Sequence, residues 1–62
     1  MTRYQRIFLE KLVKLSEEYG FVITEEGYIE PIRDWIEPNR SFEYMTEESS
    51  DGIKITGVEM KL

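Results

Sequence analysis

The sequence contains no cysteine and no histidine among its 62 residues. Without cysteine, neither a disulfide nor a zinc–thiolate site can stabilise the chain, and without histidine no imidazole metal site can form. The same absences exclude Cys–His and Ser–His pairs and remove the commonest general base. The four glycines are scattered, so no glycine-rich phosphate-binding loop is present. We therefore expect a protein that is not an enzyme and that carries no metal or cofactor.

Carboxylates are the remaining candidates for catalysis or metal binding. Glu25 and Glu26 lie in a predicted turn, and Glu47, Glu48 and Asp51 lie in a predicted polar loop. Catalysis by paired carboxylates needs a substrate cleft, which a chain this short has little volume to form. The polar loop lacks the ligand spacing of an EF-hand. We expect a solvated loop there, with calcium binding as the alternative.

The chain has a net charge of −5, from 13 acidic and 8 basic residues. Binding to nucleic acid needs a basic face, so we do not expect a nucleic-acid partner. No apolar run is long enough to span a membrane, and the first residues lack the continuous apolar region of a signal peptide. We therefore expect a cytoplasmic protein whose charge keeps it soluble.

A chain of 62 residues is expected to form one domain, residues 1–62. Hydrophobic residues make up 40% of it and aromatic residues 13%, which is enough to fold. A domain this small buries only about 60% of the surface that its unfolded chain exposes, so its stability is marginal. With no disulfide or metal, tight packing of large apolar side chains or self-association has to compensate.

Residues 3–19 are predicted to form a helix. Thr2 is a suitable N-cap, and Gln5 three residues later completes a capping box. Gly20 stands where a glycine commonly ends a helix. These local signals set both ends of the predicted helix.

The predicted helix has a wide apolar arc. Its main stripe, at three- and four-residue spacing, consists of Tyr4, Phe8, Leu12, Leu15 and Tyr19. We expect this stripe to pack on the sheet. Leu9 and Val13 on one flank, and Ile7 on the far side, would then be left exposed. Apolar residues left exposed on a small domain favour a homodimer.

A first β-hairpin is predicted directly after the helix. Phe21-Val22-Ile23-Thr24 is β-branched and aromatic, and Tyr28-Ile29 begins the return strand. Gly27 suits the positive φ that the connecting turn requires. Pro31 removes a backbone donor and keeps the second strand short or at an edge.

A second hairpin is predicted in the C-terminal part. Residues 42–45 and 53–56 alternate in polarity, and residues 46–52 form the polar loop between them. The apolar phase slips after Gly57 to Val58, Met60 and Leu62, which indicates a β-bulge. The predicted fold class is therefore α+β: an N-terminal helix packed on a small antiparallel sheet of two hairpins, in the order α-β-β-β-β.

A tandem repeat occupies the middle of the chain. The pattern aromatic-Ile-Glu-Pro-x-Arg-x covers residues 28–34 and again residues 35–41. Two units are too few for a solenoid. Each proline forces the glutamate before it towards an extended conformation, so we expect two short extended pieces with similar offsets of aromatic ring and arginine.

The repeat supplies the candidate binding residues, which are Tyr28, Arg33, Trp35 and Arg40. Tryptophan, tyrosine and arginine are enriched at the centres of protein interfaces. A core position for Trp35 and surface ion pairs for Arg33 and Arg40 are the alternative interpretations. If the two guanidinium groups converge near aromatic rings, they would instead suit a nucleotide or another anion.

Residues 12–23, LVKLSEEYGFVI, resemble the opening of many short proteins encoded by bacteriophages. In those proteins an N-terminal helix ends in an acidic–aromatic–glycine turn and passes into a β-hairpin. The resemblance is confined to this helix-to-hairpin region and transfers no site residue. It implies a protein that acts by stoichiometric binding to a host or defence component.

The leading hypothesis from the sequence is a non-catalytic protein that binds a protein partner, as a phage-encoded inhibitor of a host or defence protein would. One alternative is an oligomer that binds or sequesters a nucleotide-like small molecule, with Arg33 and Arg40 converging across a subunit interface. The other is a structural subunit that acts through self-association alone.

Overall fold

The computed structural model describes residues 1–61 and confirms the predicted α+β architecture. Its elements are α1 (Arg3–Tyr19), β1 (Phe21–Ile23), β2 (Ile29–Pro31), a 3₁₀ turn (Ile32–Asp34), β3 (Phe42–Ser49) and β4 (Gly52–Met60). Each antiparallel hairpin forms its own two-stranded sheet, so α1 packs against two small sheets. None of the helices in the described part of the chain has the length and apolar character needed to cross a membrane.

Both ends of α1 carry the predicted caps. The Gln5 backbone N–H donates to Thr2 Oγ1 at 3.1 Å, and the Thr2 N–H donates to Gln5 Oε1 at 2.8 Å. These bonds satisfy donors that the first helical turn leaves free. At the other end Gly20 has φ 80°, and its N–H donates to the Ser16 carbonyl at 2.8 Å. A residue with a Cβ would be strained in this left-handed conformation.

The hydrophobic core of the described chain is small. Its buried side chains are Val22, Ile36, Phe42 and Tyr44. The rings of Phe42 and Tyr44 meet edge to face, with centroids 5.8 Å apart, which is a favourable geometry for aromatic pairs. Partly buried side chains of α1 and both hairpins surround this cluster. So little fully buried surface is consistent with marginal stability.

The Tyr44 hydroxyl joins three elements of the fold. It lies 2.7 Å from Ser16 Oγ of α1 and accepts the Ile23 backbone N–H of β1 at 3.1 Å. The Thr24 N–H bonds the Tyr28 carbonyl across the first hairpin, so strand alternation directs the Ile23 N–H away from β2. Tyr44 on β3 therefore satisfies an edge donor of β1 and connects that strand to α1.

The apolar stripe of α1 that was predicted to face the sheet lies mostly at the surface. Its exposed members are Tyr4, Phe8, Leu15 and Tyr19, with exposed fractions from 51% for Leu15 to 81% for Tyr4. Leu9, Leu12 and Val13 pack on the core instead, beside the buried Ser16. The prediction was wrong because a count of apolar residues treats Ser16 as solvent-facing, although Tyr44 satisfies its hydroxyl.

The second hairpin contains the predicted bulge. Met45 opposes Gly57 while Thr46 opposes Ile55, so Thr56 is the extra residue of β4. Gly57 has φ 152°, and a Cβ built on it would lie 3.0 Å from Met45 Cε. The bulge lets Ile55 and Val58, three residues apart, both pack on the core. Leu62, the last member of the predicted apolar set, lies outside the described residues.

The prediction of a polar loop at residues 46–52 is wrong. β3 continues to Ser49 and β4 begins at Gly52, which leaves a two-residue turn. Ser49 Oγ donates to the Gly52 carbonyl at 3.2 Å and accepts the Asp51 N–H at 3.3 Å. Glu47 and Glu48 point to opposite sides of the strand. Within residues 1–61, no three acidic side chains are grouped so that they could hold a metal ion.

Candidate functional site

The four predicted binding residues are all exposed and belong to the segment of the chain between β1 and β3. Tyr28 precedes β2, Arg33 lies in the 3₁₀ turn, Trp35 follows that turn, and Arg40 precedes β3. Trp35 is 48% exposed, so it is a surface residue and not part of the core. Exposure makes all four side chains accessible to a partner.

The two units of the sequence repeat adopt different structures. The first unit forms β2 and the 3₁₀ turn, whereas the second is an irregular turn with a left-handed Asn39 at φ 64°. Ile29 of the first unit is 72% exposed, but the equivalent Ile36 is only 4% exposed. The Ile36 N–H donates to the Ile32 carbonyl at 2.8 Å, which turns the second unit inward. The predicted equivalence of the two units is therefore wrong.

Arg33 and Arg40 line one open groove of about 550 Å³, which we call the arginine groove. Its other lining residues are Glu17, Ile32, Ile36, Glu37, Pro38, Asn39 and Ser41. Both arginines line this groove within a single chain, without the subunit interface that the sequence-based hypothesis invoked. The lining therefore combines apolar side chains with charged and polar ones.

The charges in the arginine groove balance. Arg40 Nε lies 3.7 Å from Glu37 Oε2, and Glu17 also lines the groove. Arg33 makes no salt bridge within residues 1–61. The lining contains two arginines and two glutamates, so the groove has no net formal charge to attract a polyanion. An exposed pair such as Arg40–Glu37 contributes only about 0–1 kcal/mol and can open for a partner.

Trp35 is held on the surface by one hydrogen bond. Its indole N–H donates to Glu30 Oε1 at 2.9 Å. Glu30 lies opposite Val22 in the first hairpin, so the bond ties the ring to β2. Neither Trp35 nor Tyr28 lines the arginine groove. The predicted site therefore divides into a groove lined by the two arginines and two aromatic rings, Tyr28 and Trp35, that lie outside it.

A second surface was not predicted as exposed. We call it the apolar face; its residues are Tyr4, Phe8, Leu15, Tyr19, Phe21 and Ile29. Two depressions border it, one of about 380 Å³ beside Ile53 and Ile55 of β4 and one of about 270 Å³ beside the first hairpin. Large contiguous apolar patches are uncommon on monomeric soluble proteins and mark binding surfaces. The apolar stripe of α1 is the sequence signal that could have located this face, but the prediction from sequence placed that stripe against the sheet.

Comparison with known proteins assigns no role to either surface. No protein-family model matches this chain, and no curated protein or solved structure matches it significantly. The function therefore has to be inferred from the groove, the exposed rings and the charges of this chain.

Proposed function

We propose that this chain is a non-catalytic protein that binds a protein partner stoichiometrically through the arginine groove and Trp35. The observation that carries the proposal is Arg33, which has no salt bridge in the described chain and lines the same groove as Ile32 and Pro38. Trp35 is half exposed and held in one orientation by Glu30. Arginine and tryptophan are the residue types enriched among interface hot spots.

The balance of charge in the arginine groove favours a protein segment over a nucleotide. A partner carboxylate can accept a bidentate pair of hydrogen bonds from Arg33, while an apolar partner side chain contacts the apolar residues of the lining. Glu17 and Glu37 would repel the phosphates of a nucleotide, but they can accept donors from a partner's main chain or basic side chains. A segment that mixes acidic, apolar and donor groups satisfies the whole groove.

A small anion is the second candidate ligand, because both guanidinium groups line one groove. The groove volume lies within the range of about 300–1,000 Å³ that is typical of ligand sites. For two arginines to hold one phosphate group, Arg40 would have to leave Glu37. Isothermal titration with ATP and with inorganic phosphate tests this candidate, and an absence of heat at millimolar ligand removes it.

A narrower form of the proposal is inhibition of a host or defence protein in the cytoplasm. It is supported by the resemblance of residues 12–23 to short bacteriophage proteins. A small protein that binds without catalysis inhibits by covering a surface that its target needs. One equivalent of the chain should then abolish the activity of the captured partner. A saturated partner that keeps full activity would contradict inhibition and leave binding intact.

The substitution Arg33→Gln tests the binding site. Lys14→Gln is its matched control, because it also removes one exposed positive charge but lies outside the groove. We expect the wild type and Lys14→Gln to capture the same protein from the native host, identified by native mass spectrometry. With the purified pair, calorimetry should give one-to-one stoichiometry and about 30-fold weaker binding for Arg33→Gln, the loss of a hot spot of about 2 kcal/mol.

Trp35→Ala is the second variant of this test. Arg33 and Trp35 are both exposed, so circular dichroism spectra of the two variants should match that of the wild type. If Arg33→Gln and Trp35→Ala both bind the partner with wild-type affinity, the arginine groove is not the binding surface and the proposal fails.

A further inference from the structure

We propose that the apolar face binds a second copy of this chain, with the two α1 helices antiparallel about a two-fold axis. This interface is separate from the arginine groove. Glu17 borders the groove and lies nine residues from Phe8, which is two and a half helical turns and therefore the opposite side of α1. Each copy in the dimer keeps its groove open to another partner.

The spacing of the stripe fits a two-fold axis. Tyr4 and Phe8 are four residues apart, and Leu15 and Tyr19 are also four residues apart. An axis through the middle of α1, between residues 11 and 12, therefore sets Tyr4 opposite Tyr19 of the second copy and Phe8 opposite its Leu15. A two-fold interface has to be complementary to itself, and this stripe meets that requirement.

The charges at the two ends of α1 favour the antiparallel arrangement. The first turn carries Arg3 and Arg6 with no acidic residue, and the last turn carries Glu17 and Glu18 with no basic residue. This order opposes the helix dipole and destabilises an isolated helix. None of the four side chains forms a salt bridge within the described chain. Arg6 and Glu17 lie on the far side of α1, but Arg3 and Glu18 lie on one flank of the apolar face, and antiparallel packing brings Arg3 of each copy towards Glu18 of the other.

The exposed area is sufficient for a stable interface. A fully buried aromatic side chain removes about 150–250 Å² from water. With about half to four fifths of each residue exposed, the six residues of the apolar face offer roughly 600 Å² per copy, or about 1,200 Å² for two copies. This is the lower end of the range for specific complexes, so we expect the dimer to dissociate on dilution. Because the core of residues 1–61 contains only four buried side chains, the apolar surface buried in the dimer should stabilise the fold further.

Sedimentation velocity over a concentration series tests self-association. We expect the wild type to shift from 7.4 kDa at low concentration to twice that mass at high concentration. Phe8→Ser should raise the dissociation constant at least tenfold. Tyr28→Ser is the matched control, because it removes a ring of similar exposure that strand alternation directs away from Ile29, and it should leave dimerisation unchanged. A wild type that stays monomeric at millimolar concentration would overturn the proposal and leave the apolar face to another protein.

Disulfide trapping tests the orientation of the helices. The natural sequence has no cysteine, so single introduced thiols report unambiguously. When Tyr4→Cys and Tyr19→Cys chains are mixed and oxidised gently, we expect the mixed disulfide to form faster than either homodisulfide. Faster formation of the Tyr4→Cys homodisulfide would overturn the antiparallel arrangement. Both tests are independent of Arg33 and of any protein partner, so their failure is distinguishable from failure of the proposed function.

Discussion

The two apolar sides of α1 differ in a way that their composition does not predict. The inner side carries Leu9, Leu12 and Val13 around the small polar Ser16 and packs on the core. The outer side carries bulkier rings, including Tyr4 and Phe8, and remains exposed. A helix buries the side that fits its neighbours and satisfies its polar groups, even when another side is more hydrophobic. The excess apolar surface is then available for binding.

The largest difference in unfolding free energy should be between substitutions of Phe42 in the core and Phe8 on the outer side. Phe42→Ala removes a buried ring from the core cluster on which α1 packs and should lower the free energy of unfolding by about 3–5 kcal/mol. Phe8→Ala removes an exposed ring and should change it by less than about 0.5 kcal/mol at a dilution where the wild type is monomeric. Urea unfolding followed by circular dichroism measures both. Equal losses would show that the two sides of α1 are not energetically distinct.

The next largest difference should come from two tyrosine hydroxyls. Tyr44→Phe leaves Ser16 Oγ and the Ile23 N–H without their partner and should cost about 1–3 kcal/mol. Tyr19→Phe on the outer side removes a hydroxyl from an exposed residue and should be neutral within about 0.5 kcal/mol. Thermal unfolding of both variants compares them directly. A neutral Tyr44→Phe would mean that the hydroxyl does not stabilise the junction of α1, β1 and β3.

The smallest effect concerns the charge at the end of α1 and has opposite signs in monomer and dimer. In the monomeric Phe8→Ser background, Glu18→Lys complements the helix dipole and should stabilise the fold by about 0.3–1 kcal/mol. In the wild-type background the same change should weaken the dimer, because it brings positive charge near Arg3 of the second copy. Adding Arg3→Glu should restore dimerisation. If Glu18→Lys stabilises the monomer but leaves dimerisation unchanged, the outer side of α1 does not pair antiparallel with a second copy.

Local signals in the sequence were sufficient for much of the fold. The capping box at Thr2, the terminal Gly20 and the phase slip at Gly57 each depend on a few neighbouring residues, and the structure contains all three features. The polar ends of β3 and β4 were predicted as loop because glutamate and serine have low strand propensity. In the structure the pairing of the hairpin overrides that preference.

Features that depend on tertiary contacts could not be derived in the same way. The buried side of α1 depends on Tyr44, which lies 28 residues from Ser16 in the chain. The arginine groove depends on how the second repeat unit turns inward at Ile36, although its sequence matches the first unit. Residue types identified Arg33, Trp35 and Arg40 as candidates, but only the three-dimensional arrangement divided them between a groove and a separate ring.

The junction at the Tyr44 hydroxyl has a consequence for the order of events during synthesis. Its two partners, Ser16 and Ile23, are translated well before β3, and neither can form its bond until Tyr44 has left the ribosome. The emerging helix and first hairpin therefore lack the side chain that joins them, and their apolar residues stay accessible to chaperones. The junction of α1, β1 and β3 can therefore close only after β3 becomes available.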